Sequence, residues 1–423
     1  MARRGGLIPG STDARETALS GHERRVLGAT CVASLGSFYT MAATGFALPQ
    51  IQRGLAIPEN ELGSLFALLR LGTLFSLALA VAADRRGRRR ILIASVAGCG
   101  LCNVATAFAP SGPVLAWWQM GARCFLGGQT LLAGVVVSEE LSAHHRGWGL
   151  GLLSAVGGLG GALALLVFAF VDRLPYGWRG LFVVGGFGLL CLPWLWRSLS
   201  ETHRFAHDVD DGTIDPSAPA WQPLRDLLRE HGWRVAAMLG VVAPVALLLE
   251  PGSVLVSKHL QDDLGYSPAG VSFLMGLCGI ATPLGNLLSG TASDRFGRKP
   301  VTIGMSLVLA VAIALFYGDT GPVGLTIGLA LLFLAIGGIM VLHTAIATEL
   351  FPTRFRSTAA GLREAIATVG ASSGLWILGV LYGATGSHGA SMTWMLLVTP
   401  VSPIVLLFLP ETARRELEQI APD

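Results

Sequence analysis

Twelve apolar stretches of about 20 residues dominate the chain. Each is long enough to cross a hydrocarbon layer of about 30 Å at 1.5 Å per residue. They fall at 26–50, 62–83, 91–109, 114–138, 149–171, 179–196, 235–257, 269–292, 301–317, 323–348, 358–382 and 389–409. The runs are continuous rather than alternating, which excludes a β-barrel and predicts an all-α membrane protein with twelve transmembrane helices. Composition agrees, with 52% of residues hydrophobic and only 13% charged, where a soluble domain carries about 25% charged residues. The apolar content excludes disorder, and six cysteines in 423 residues exclude a disulfide scaffold. All six lie inside the spans and read as packing residues. A net charge of +3 gives nucleic-acid binding no footing. Residues 1–25 hold five Arg but no apolar run, so they are expected to be a tail rather than a cleaved signal peptide.

Lys and Arg set the expected orientation. The loops on the side of the termini carry 23 of them and the opposite loops carry 4. Both termini, and the long loop between spans 6 and 7, are therefore expected in the cytoplasm, with the chain a multi-pass protein of the cell's inner membrane. The expected organisation is a tail (1–25), a six-helix half (26–196), a central loop (197–234), a second six-helix half (235–410) and a tail (411–423). Within the central loop, 221–233 places Trp221, Leu224, Leu227, Leu228 and Trp233 at helical spacing with Arg225 and Arg229 between them. That pattern fits a helix on the inner leaflet or a solvated linker.

A repeat offset of 210 residues runs through the chain. Asp84-Arg85-Arg86-Gly87-Arg88 follows span 2, and Asp294-Arg295-Phe296-Gly297-Arg298 follows span 8. Glu139 precedes Arg146, and Glu349 precedes Arg356, by seven residues each. Ser200-Glu201-Thr202 closes the first half and Pro410-Glu411-Thr412 the second. The chain is thus two parallel six-helix halves. The D-R-x-G-R loops resemble the signature of the major facilitator superfamily. Arg123 with Gly127-Gly128 resembles the superfamily's R-x-x-x-G motif, while the E-x(6)-R marks and the closing E-T marks resemble its sugar-porter-like branch, which also includes organic-ion and metabolite:proton symporters. The resemblance spans about residues 25–415. It implies that Asp84, Gly87, Arg88, Glu139, Arg146, Asp294, Gly297, Arg298, Glu349 and Arg356 form cytoplasmic charge networks. These would close the inner gate in the outward-facing state and break as it opens.

Ionisable groups at membrane depth cost about 2.5–3.5 kcal/mol on insertion scales and point to function. Arg70 in span 2 and Arg123 in span 4 are expected at similar depth, about 12–14 Å below the outer boundary. Two guanidinium groups there suit a carboxylate. Snorkelling is the competing reading for Arg70, and hydrogen bonding to neighbouring carbonyls for Arg123. Glu250 in span 7 stands before Pro251-Gly252, a pair expected to break or kink the helix. Span 1 has no Asp, Glu or His between Val26 and Gln50, so Glu250 is the candidate proton-coupling group. A carboxylate in water at the outer mouth is the alternative. Tyr39, Gln129 and Asn286 are further candidates for the cavity wall, and packing accounts for them equally well at this stage. His343, Arg363 and Glu364 read as packing or interface residues.

The leading reading is a secondary transporter working by alternating access. It would carry a small organic solute, best an organic anion, with proton coupling expected. No cofactor is implied, and the chain is expected to act as a monomer. A sugar porter or facilitative uniporter, a drug or metabolite exporter, and a transport-dead sensor are the rival readings. An enzyme is disfavoured, because no H-E-x-x-H, G-x-S-x-G or P-loop pattern occurs.

Overall fold

The computed structural model describes residues 19–201, 222–318, 320–352 and 355–411. The N-terminal tail, most of the central loop and all but the first residue of the C-terminal tail lie outside the described residues, as do the side chains of Asp84 and Arg356. Among the described residues there is no strand. Twelve helices are long and apolar enough to cross a membrane.

In the first half these are α1 (Gly21–Phe46), α2 (Glu59–Arg86), α3 (Arg88–Ala107), α4 (Gly112–Glu140), α5 (Ala143–Ala169) and α6 (Trp178–Gly185, resuming at Gly188–Ser198). In the second they are α7 (Gln222–Val254), α8 (Pro268–Gly279, then Ala281–Phe296), α9 (Arg298–Tyr317), α10 (Gly321–Glu349), α11 (Arg356–Thr385) and α12 (His388–Met395, then Val401–Phe408). The pairings repeat between halves. α1 packs on α5 as α7 packs on α11, and α2 and α3 pack on α4 as α8 and α9 pack on α10. Between the halves, α2 lies along α11, and the first segment of α8 lies on α5. Large apolar side chains such as Phe108, Leu190, Phe273 and Phe408 point outwards, as contact with lipid tails requires.

Local sequence explains the helix ends. Ser20 caps α1 in a reciprocal box with Glu23, which satisfies two otherwise unpaired donors. Gly87 joins α2 to α3 at φ 99°, and Gly297 joins α8 to α9 at φ 109°, angles that a side chain resists.

Two expectations need correction. The first window, 26–50, is not one straight helix: α1 ends at Phe46, and a separate short helix, Leu48–Gly54, follows with Pro in its first turn. Pro251-Gly252 does not break α7, which continues to Val254, with the Leu255 amide donating to the Pro251 carbonyl at 3.1 Å. In a tightly packed bundle, neighbouring helices tolerate the missing donor of a proline. The kink in α7 lies instead at His231 (φ −128°, ψ 31°), whose ring packs against Phe351 and Phe355. The stretch 222–230 is therefore a short helix of its own that meets the membrane-spanning part of α7 at this kink. Leu227 is buried, while Leu224, Leu228 and Trp233 are exposed.

Candidate functional site

Arg70 and Arg123 each stand eleven residues into their helices, counted from Glu59 and Gly112. At 1.5 Å per residue both lie about 16 Å below the end of the bundle opposite the termini. Their helices touch closely here. Gly72 faces the Met120 carbonyl and the Arg123 Cβ so tightly that a methyl group would collide with the carbonyl. The sequence thus places both guanidinium groups at one level by helix length, and a glycine lets them share one region.

From the other half, Glu250 brings a carboxylate oxygen to 3.5 Å from Arg70 Nε. Both side chains are largely buried, and the pair bridges α2 and α7 across the boundary between the halves. Arg123 is only 5% exposed, lies within electrostatic reach of Arg70 and Glu250, and its Nε has no hydrogen-bond partner among the described residues. Arg70 Nε likewise has no hydrogen bond, because the ion pair is longer than one. Two guanidinium groups and one carboxylate leave this region with one positive charge in excess and unused donors.

The other cavity candidates separate. The Tyr39 hydroxyl donates to the Leu181 carbonyl at 2.9 Å and its side chain is fully buried, so it ties α1 to α6 and has no free edge for a solute. Gln129 accepts from Ser37 and donates to the Ser95 carbonyl, both at 3.0 Å, which joins α1, α3 and α4. Asn286 is exposed on the second segment of α8. Sequence reasoning missed a buried polar layer one turn above Arg123. Gln119 accepts from Thr44 at 3.0 Å and donates to Thr106 at 2.9 Å, and Asn103 donates to Thr40 at 2.7 Å. The types are ordinary ones for helix-to-helix bonds, and only the helix rotation shows that they converge.

At the terminal end, each charge motif fastens its own half. Arg88 reaches Glu139 at 3.2 Å. Its repeat counterpart Arg298 grips Glu349 through Nε at 3.1 Å and a terminal nitrogen at 2.9 Å, and pairs with Asp294 at 2.7 Å. Arg146 is exposed on α5. The marks closing each half also have a structural job. Glu201 accepts from the Arg89 amide at 3.1 Å, and Glu411 accepts from the Arg298 and Lys299 amides at 2.7 and 3.2 Å. Each thereby caps a helix whose own N-cap residue, a glycine, has no side chain to do so. Replacing Glu411 with Ala is expected to lower stability by about 1 kcal/mol, measured as a falling melting temperature in detergent, with Glu201→Ala giving a similar loss.

The arrangement has counterparts among known proteins. The model of the Major Facilitator Superfamily matches residues 30–250 and 251–421. The niacin transporter NiaP of Acinetobacter baylyi is 27% identical over 366 residues, covering 80% of this chain and 82% of the relative. The 3-(3-hydroxy-phenyl)propionate transporter of Escherichia coli is 29% identical over 320 residues, covering 74% of this chain and 76% of the relative. The inward open xylose transporter XylE of E. coli superposes with a TM-score of 0.73 at 17% identity, covering 94% of this chain and 99% of that one. Two six-helix halves with one pairing scheme, the duplicated loops at offset 210 and a family match along nearly the whole length have one explanation: this chain is a membrane transporter of the Major Facilitator Superfamily.

Proposed function

We propose that the chain carries a monovalent organic acid by alternating access, with a proton as the coupled ion. The carrying observation is the central site, where a buried Arg123 whose Nε has no hydrogen-bond partner among the described residues stands beside an Arg70–Glu250 pair that joins the two halves. One carboxylate of a solute would balance its excess charge, and a guanidinium presents the planar donors that a carboxylate accepts. Aromatic acids are the favoured class, because relatives are named as transporters of niacin, 3-(3-hydroxy-phenyl)propionate and gentisate.

The coupling follows from competition. An incoming carboxylate and Glu250 seek the same Arg70. Displaced from it, Glu250 is the group left to carry the coupled proton, so that anion and proton travel together. The Lys and Arg bias supports a cytoplasmic terminal end, as would be found in an inner-membrane protein. In that orientation the contacts between α2 and α11 and between α5 and the first segment of α8 favour a state closed to the outside. Asp84, Gly87, Arg88, Glu139, Arg146, Asp294, Gly297, Arg298, Glu349 and Arg356 would then serve inner closure when the halves rock the other way.

Uptake into proteoliposomes carrying an inward proton gradient tests this. Aromatic monocarboxylates are expected to accumulate, while pentoses and organic cations are not. Accumulation of a sugar without any carboxylate would overturn the proposal in favour of a sugar porter.

A further inference from the structure

At the end opposite the termini, well away from Arg70 and Glu250, the halves meet through charged and polar side chains. Glu59 opens α2 in the first half. Its carboxylate takes Lys258 Nζ at 2.9 Å and His388 Nε2 at 2.9 Å, both from the second half, and is also bonded by Gln52. Lys258 is only 5% exposed and bonds Gln52 at 2.6 Å and Asp262 at 2.8 Å as well. Arg53 reaches Asp262 at 2.7 Å, Gln50 donates to Gln261 at 2.6 Å, and Ser257 donates to the Phe46 carbonyl at 2.6 Å. The ring of His388 is stacked on Tyr382.

The backbone builds this cluster deliberately on both sides. The bend at Ala47 sends the short helix Leu48–Gly54 across the end of the bundle and presents Gln50, Gln52 and Arg53. Beyond α7, the turn Val256–Lys258 runs into the π-helical turn His259–Asp263, which sets Lys258 and Asp262 on one face. Two carboxylates from opposite halves therefore each receive a cation from the other half.

We propose that Glu59 and Lys258 are the lock of the gate at this end, and that parting them is the step that admits solute there. A purely apolar seal of this extent would be hard to open, since every separated side chain would meet water at a cost. Charged partners recover hydration when they part, so closed and open states stay within reach of each other. The assignment concerns the gate alone and is independent of which solute is carried.

The test is a distance measurement between spin labels at Tyr176→Cys and Thr320→Cys, exposed positions in loops of the two halves at this end, with the six native cysteines replaced. No solute is needed, so the result stands whether or not the carboxylate proposal holds. Glu59→Gln keeps the side-chain shape and removes the charge, and Lys258→Gln removes the partner. Each is expected to raise the long-distance, open population by about tenfold. The double variant is expected to fall clearly short of the product of the two single shifts, because the Glu59–Lys258 contact can be lost only once. Unchanged distance distributions in both single variants would overturn the proposal. So would a double variant whose shift is the product of the two, since independent effects would mean that the residues do not act as a pair.

Discussion

Arg123→Gln is expected to lower the uptake of an anionic solute by about 10- to 100-fold while leaving the protein as heat-stable as before, or more so. The side chain is buried, and its Nε has no hydrogen-bond partner among the described residues. A charged hydrogen bond to a solute is worth about 1.5–3 kcal/mol, and 1.4 kcal/mol is tenfold in affinity. A buried cation that contributes to binding but not to folding therefore leaves a mark in two measurements at once. Arg123→Lys keeps the charge and loses the planar fork, so it should recover only part of the activity. Uptake and thermal unfolding in the same detergent preparation check both halves of the prediction. A large drop in melting temperature together with lost uptake would make Arg123 a structural residue instead.

Glu250→Gln is expected to separate two activities that normally go together. Accumulation driven by a proton gradient should disappear, while exchange of labelled for unlabelled solute persists. The substitution also raises the net charge of the site from one positive to two, because Arg70 and Arg123 then face no carboxylate from the other half. Solute affinity should therefore rise several-fold and release should slow. Counterflow and gradient-driven uptake in proteoliposomes read the two activities side by side. If both fall equally, Glu250 holds the solute or the halves and does not carry the proton.

The parts of the molecule that were legible beforehand share a physical cause. Lipid demands long apolar runs, so the twelve helices stand out in the residues themselves. Gly87 and Gly297, Arg88 and Arg298, and Glu139 and Glu349 stand at one offset; both glycines take the same positive φ, and each Arg pairs with the Glu of its own half, Arg298 through more contacts than Arg88. Arg70 and Arg123 were conspicuous because charge at that depth is costly. What the sequence hides is helix rotation and distant pairing. By chemistry Tyr39 and Gln129 suit a cavity wall or helix packing equally, and only the helix rotation shows them bonded to neighbouring helices. Glu59 and His388 stand 329 positions apart and are unremarkable types for helix ends, so nothing local marks them as partners. Pro251 predicts a break or a kink because a proline removes a donor, but α7 keeps helical angles past it to Val254.

The caps supplied by Glu201 and Glu411 give the two halves different histories during synthesis. Each cap lies at the far end of the half whose third helix it completes, 112 positions after Arg89 in one case and 113 after Arg298 in the other. Glu201 leaves the ribosome before any of α7, so the first half can finish its terminal face while the second is still being made. The second half has to wait for Glu411, after its last helix. Until that residue arrives, the start of α9 lacks the carboxylate that caps its leading amides in the finished fold. A nascent chain stalled just short of Glu411 would thus pair a completed first half with an unsealed second one, which is the form that quality-control proteases of the membrane would meet.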